Sequence, residues 1–165
     1  MGYLNPIIQF GIEDFCQKCS EVGIDGLIIP DLPVKEFSEN YQAIFEAHGL
    51  INVFLITPQT SADRIRFIDQ LSSGFIYMVS SASVTGVKNE FGETQNSYFE
   101  RINGMNLNAP QIVGFGISNA KTFGQATKFG KGAIIGSAFI KHLSTNGTKN
   151  IQNFVNNILY STTDL

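Results

Sequence analysis

Charge is scarce in this sequence. Only 15% of the 165 residues are Asp, Glu, Lys or Arg, and 43% are hydrophobic. A charge-driven disordered chain is excluded, because disorder needs high charge and few large apolar groups. A basic run is missing as well. The eleven Lys and Arg are scattered and the formal net charge is −3, which argues against a nucleic-acid partner. No apolar run reaches the ~18 residues of a membrane span, so no membrane partner is expected. The start, Met1-Gly2-Tyr3-Leu4-Asn5-Pro6, has no basic region followed by an apolar stretch. No secretory signal is read there, and the expected compartment is the cytoplasm.

Cysteine is limited to Cys16 and Cys19. Their Cys-x-x-Cys spacing suits a redox pair or half of a zinc site. Both fall inside Ile12 to Val22, which reads as an amphipathic helix, whereas a redox pair sits at a helix start after a strand. A zinc site needs two more ligands, and the only histidines, His48 and His142, are distant in sequence. The two are read as helix cysteines, and no metal site is expected. There is no Ser-His-Asp or Cys-His pattern and no Gly-x-x-x-x-Gly-Lys-Ser/Thr loop.

What is present is one repeated unit. Short apolar runs occur at Met1–Leu4, Gly26–Ile29, Ile51–Ile56, Phe75–Val79, Gln111–Val113 and Gly132–Ile135. Their length and β-branched content suit buried parallel strands. Between them lie stretches of helical period, such as Phe37, Tyr41, Ile44 and Phe45, or Ile65, Ile68 and Leu71. This alternation predicts an α/β fold with a parallel sheet. Gly23, Gly49, Gly74 and Gly130 each follow a helix and precede a strand, as left-handed C-terminal caps do. Ser61 and Asn119 suit N-caps. Thr148 to Leu159 reads as a closing helix, and the tail 161–165 as frayed. With no linker or composition shift, residues 1–165 read as one domain. Six strands in this length suit an open doubly wound sheet, while the chemistry at the strand ends suits a (β/α)8 barrel.

That chemistry comes in four pieces. Gly114-Phe115-Gly116-Ile117-Ser118-Asn119 and Gly136-Ser137-Ala138 are glycine-rich turns after the last two strands. Each leads into a helix, where backbone amides and the helix dipole can hold an anion. The long, small and polar loop from Ser80 to Glu93 suits a lid. Tyr77, in the strand before it, can present its hydroxyl to a site or belong to the core. Pro30-Asp31-Leu32-Pro33 places an acid at a strand end, as a functional group or as a helix cap.

Taken together these residues resemble the tryptophan synthase alpha subunit family. Tyr3-Leu4-Asn5-Pro6 resembles the end of its third strand, and Gly23 to Pro33 its fourth strand region. Leu55-Ile56-Thr57-Pro58 resembles the fifth strand end. Tyr77-Met78-Val79-Ser80 with Ser83-Val84-Thr85-Gly86 resembles the sixth strand and its lid. The two glycine turns resemble those after the seventh and eighth strands. The match runs in order from residue 1 to about 160.

The resemblance implies a partial (β/α)8 barrel of about six βα units. It implies retro-aldol cleavage of indole-3-glycerol phosphate to indole and glyceraldehyde 3-phosphate. The implied partner is a tryptophan synthase beta subunit in an alpha2-beta2 complex. Pyridoxal phosphate is expected in that partner, and no cofactor in this chain. Gly86, Gly116, Gly136 and Ser137 would cradle the substrate phosphate. Tyr77, Phe115 and Ile56 would line the pocket, with Tyr3 beside it, and Thr85 would hold a catalytic acid when the lid closes. Asn5, Asp31 and Pro33 would face the beta subunit.

The resemblance begins at the family's third strand. The family's catalytic Glu, on the second strand, and Asp, in the following loop, have no counterpart here, so no catalytic residue is assigned. The family's chemistry needs both, to protonate the indole C3 and to stabilise the cationic ring that results. Ser81, where some members carry Arg, and Ser83, where many carry Gly, are smaller departures. The chain is expected to be a partial one that folds weakly or self-associates on its own. A non-catalytic module for phosphate or a partner is the alternative. Another phosphate-binding barrel enzyme fits less well, given the Pro-Asp-Leu-Pro strand end and the Ser-Val-Thr-Gly lid.

Overall fold

The computed structural model describes residues 1–80 and 92–160. Parallel strands alternate with helices, as the apolar periodicity predicts. The chain clusters into two compact units, Met1–Ile56 with Thr60–Tyr77 and Thr57–Gln59 with Met78–Leu165.

The first unit begins with α1 (Leu4–Phe10) and α2 (Ile12–Glu21). Then come β1 (Gly26–Ile28), α3 (Val34–Glu36), a π-helical turn (Phe37–Tyr41) and α4 (Gln42–Ala47). β2 (Ile51–Val53), β3 (Leu55–Ile56), α5 (Ala62–Leu71) and the start of β4 (Ile76–Val79) complete it. β1 and β2 pair in parallel, with Gly26 opposite Ile51. A Cβ on Gly26 would lie 2.4 Å from Ile51 Cγ1, and one on Gly74 would lie 2.4 Å from Ile51 Cδ1. Ile51 thus fills the space that both glycines leave empty.

The π turn has a packing reason. At about 100° per residue, positions eight apart on an α-helix point roughly 80° away from each other. The wider turn takes up an extra residue. Phe37 and Phe45 then meet edge-to-face with centroids 5.2 Å apart, and Phe37 meets Phe54 at the same distance. All three rings are at most 4% exposed. Cys16 and Cys19 are free, buried residues of α2, as read from the sequence. Burial, with the nearby Cys19 and Glu13, pushes the Cys16 thiol up to about 11, away from thiolate chemistry.

The second unit holds the end of β4, then α6 (Glu93–Asn103), β5 (Gln111–Gly114) and α7 (Ala120–Thr127). β6 (Gly132–Ile134), α8 (Ser137–Asn146), a 3-10 turn (Thr148–Asn150) and α9 (Ile151–Tyr160) follow. Phe99, Val113 and Ala126 are fully buried and Ile102 nearly so. Phe129 packs against Phe99 at 5.9 Å.

Several expectations need correction. Met1–Leu4 is not a strand. Gly2 donates its N–H to the Ile28 carbonyl, but α1 begins at Leu4, where Pro6 is tolerated because first-turn amides need no helical partner. The run 51–56 is two strands, interrupted at Phe54. Gly23 and Gly49 are left-handed, at φ 77° and 67°, but Gly74 and Gly130 are not. Gly74 makes room for Ile51, and a Cβ on Gly130 would come within 3.1 Å of Gln111 O and Val113 Cγ2. The closing helix starts as a 3-10 turn. Ser61 and Asn119 cap α5 and α7 as expected. No described helix is long and apolar enough to cross a membrane.

Candidate functional site

β5 and β6 run parallel in the register Ile112↔Gly132, Val113↔Ala133, Gly114↔Ile134. Gly114 and Ile134 end their strands, so the chain leaves both at the same edge. Phe115, Gly116, Gly136 and Ser137 are thereby gathered at one end of two adjacent strands.

The first turn is held in an uncommon shape. Phe115 and Gly116 are both left-handed, at φ 66° and 75°. Glycine adopts this conformation freely, whereas for phenylalanine it costs roughly 1 kcal/mol. Ser80, at the end of β4, clamps it. The Ser80 N–H donates to the Gly114 carbonyl at 3.1 Å, and its hydroxyl donates to the Phe115 carbonyl. Ser80 is 1% exposed, so water does not compete for these bonds.

Thr122 holds the other side. It is fully buried. Its hydroxyl oxygen accepts from the Ser118 and Asn119 amides at 3.1 and 3.3 Å, and the hydroxyl donates to the Asn119 carbonyl at 3.0 Å. Asn119 Oδ1 in turn accepts from the Thr122 amide at 2.9 Å. Two amides of the turn are used up in this way. Those of Gly116 and Ile117 have no protein partner among the described residues. The Ser118 hydroxyl oxygen is buried without a partner among them too.

The second turn is open. Gly136 precedes α8 and supplies no capping side chain, and no acid stands in the first turn. The leading amides of α8 thus lack a capping acceptor. A Cβ on Gly136 would meet no atom within 4 Å, so space is left beside it. Free amides at the positive end of a helix dipole suit an anion. Neither turn contains a group that titrates near neutrality. This arrangement can bind and orient an anion, and it offers no proton donor or acceptor of its own.

The first unit places the remaining expected residues. Asp31 Oδ1 accepts from the Leu4 amide at 2.9 Å. Asp31 thus caps α1 across 27 positions of sequence. Asn5, Asp31 and Pro33 are all exposed, and Tyr3 is 69% exposed. Ile56 is fully buried and Tyr77 is 5% exposed; burial raises the tyrosine's pKa. His48 makes a 3.0 Å contact with Glu13, and the His142 ring packs against Phe154, tilted by 44° with centroids 4.9 Å apart. Thr85 and Gly86, with Ser81 and Ser83, lie outside the described residues. Among the described residues no three His, Cys, Asp or Glu come together as a metal site.

Sequence reasoning did not single out Ser80 as the clamp or Thr122 as the anchor. A hydroxyl directly after a fully buried strand, and an Asn-x-x-Thr capping pattern, were the available signals.

Comparison with known proteins gives one answer. The family model described as tryptophan synthase alpha chain matches residues 1–163. The tryptophan synthase alpha chain of Flavobacterium johnsoniae is 69% identical over 158 residues, which cover 96% of this chain and 62% of that one. A mutant tryptophan synthase alpha-subunit from Pyrococcus furiosus superposes with a TM-score of 0.81 at 29% identity. That match covers 94% of this chain and 63% of the other. The tryptophan synthase complex of the same organism matches with a TM-score of 0.79 at 26% identity, covering 94% and 62%. The chain spans less than two thirds of the length of these relatives. The fold class is the one expected, a partial (β/α)8 barrel with parallel strands.

Proposed function

Because the chain belongs to the tryptophan synthase alpha chain family, we propose that it forms the ligand-holding part of a carbon–carbon lyase of tryptophan biosynthesis. The reaction is cleavage of indole-3-glycerol phosphate to indole and glyceraldehyde 3-phosphate. The observation that carries this reading is the shared end of β5 and β6, where the Gly116 and Ile117 amides and the start of α8 face no protein acceptor. A phosphate monoester is the anion that fits such donors. Gly116, Gly136 and Ser137 hold it, and Ser80 and Thr122 keep the first turn in shape. Gly86 and Thr85 belong to the same reading through the lid. Phe115, beside Gly116 in the first turn, lines the indole and glycerol parts.

Nothing in the two turns moves a proton. In this reading the acid–base steps belong to a Glu and an Asp carried by relatives in the part that this chain does not span. Asn5, Asp31 and Pro33, exposed around the α1 cap, face a beta subunit, which carries the pyridoxal phosphate. The absence of a titratable group in the turns also favours a second reading, a phosphate- or partner-binding module without turnover.

Indole release from indole-3-glycerol phosphate separates the two. The assay uses the 165-residue chain with a beta subunit, with and without a second polypeptide carrying the unspanned part of the Flavobacterium johnsoniae relative. Release only with that polypeptide is expected. Release without it would move the chemistry to an acid of this chain, Asp31 first. No release in either case, with phosphate still bound, would select the binding module.

A further inference from the structure

The polar groups of the turn after β5 can be paired off one by one. Gly114 and Phe115 give their carbonyls to Ser80. The Ser118 and Asn119 amides donate to Thr122 Oγ1 at 3.1 and 3.3 Å. A hydroxyl has one proton and two lone pairs. Both lone pairs of Thr122 are used by those amides, and its proton goes to Asn119. Thr122 therefore has nothing left for the Ser118 side chain. Three donors stand over: the Gly116 N–H, the Ile117 N–H and the Ser118 O–H. None has an acceptor among the described residues. They belong to three consecutive residues, so chain connectivity keeps them within one turn. Ser118 differs from the other two. A backbone amide comes with almost any residue, whereas this hydroxyl belongs to the side chain alone. Its oxygen is buried, and a buried polar atom without a partner destabilises the chain that carries it.

We infer that Ser118 is a third donor for the bound anion, its hydroxyl pairing with a phosphate oxygen beside the Gly116 and Ile117 amides. The inference rests on the anion-holding reading of this turn and adds a side chain to it. One rotation about Cα–Cβ, between staggered positions, turns the hydroxyl from its buried place to the ligand. The ligand supplies the acceptor that the fold withholds. Hydrogen bonds to a charged acceptor are stronger than neutral ones, so the group that weakens the free chain strengthens the complex.

Stability and affinity should therefore move in opposite directions in Ser118→Ala. Glycerol 3-phosphate binding, read from the Gly116 and Ile117 amide shifts, is expected to weaken at least roughly tenfold. The ligand-free variant should melt no lower than the parent and up to about 3 °C higher, because an unpaired buried group is gone. Ser118→Cys, close in volume but a weak donor, should bind nearly as poorly as the alanine variant. In the parent, the Ser118 Hα–Hβ couplings should differ between the free and the saturated protein, as a rotation requires. Alanine or cysteine variants that bind as tightly as the parent, a lower melting point for Ser118→Ala, or couplings unmoved at saturation would overturn the inference and leave the anion-holding reading intact. A parent chain whose Gly116 and Ile117 amides ignore glycerol 3-phosphate would remove that reading, and this inference with it.

Discussion

The two compact units of this chain are built for different ends. In the first, Phe37, Phe45 and Phe54 interlock edge-to-face, and each of these rings is at most 4% exposed. In the second, β6 is only half-buried, α8 buries no residue, and α9 buries Ile158 alone. There, backbone donors stand without protein acceptors at the end of β5 and the start of α8. The first unit uses its residues on packing, while the second leaves polar backbone free at the place where a ligand would be held. Dense aromatic packing and free backbone donors thus belong to different stretches of one chain.

The largest test of that division is Phe45→Ala. Phe45 is 1% exposed, and loss of such a ring costs roughly 3–5 kcal/mol. Amide exchange should rise throughout the first unit and least around 111–134. An equal rise in both units would break the comparison.

Thr122→Val is the counterpart in the second unit. It removes the acceptor for two amides, at a cost of about 2–3 kcal/mol. Protection should be lost at 114–127, and phosphate affinity should fall with it, while the α2 and α4 amides stay protected. Retained affinity would show that the turn keeps its shape without Thr122.

Alkaline pH sharpens the comparison by chemistry. The Cys16 thiol is raised from 9.0 to about 11 in the fold. The unfolded chain therefore ionises first, and stability is full below pH 9 and lost as pH rises towards 11. The loss is on the order of 2 kcal/mol. In the second unit burial raises the Tyr98 hydroxyl from a higher starting value, 10.0, so its own contribution begins to fall only above that pH. Denaturation followed from pH 8 to 11, with Cys16→Ala as control, should show the first drop, and the alanine variant should make it shallower, leaving the part due to the Cys19 thiol, which burial also raises. The same slope in both proteins would refute the assignment.

Asp31→Ala is the smallest of the set. Removing the cap from the Leu4 amide costs about 1 kcal/mol. It should fray α1 without touching phosphate binding. If binding falls as well, Asp31 does more than cap.

Much of this was legible in the sequence. The alternation of apolar runs and amphipathic stretches placed β1, β4, β5 and β6, because strand and helix periods differ. Ser61 and Asn119 revealed helix starts, and paired glycine turns revealed the candidate site. Other features depend on contacts that no local pattern encodes. Asp31 read as a functional acid or a helix cap; it does cap a helix, but one that begins 27 residues earlier. Gly74 looked like a left-handed cap, but Ile51 is its reason. Ser80 was one residue of a polar stretch until its two bonds to the Gly114 and Phe115 carbonyls gave it a task.

The central claim is that the ends of β5 and β6 hold a phosphate by backbone amides. A backbone amide titration of the 165-residue chain with glycerol 3-phosphate tests it most directly. Saturable shifts at Gly116, Ile117, Ser137 and Ala138, with Leu4 and Asp31 unmoved, are the predicted result. Saturation without movement at those four amides would contradict it.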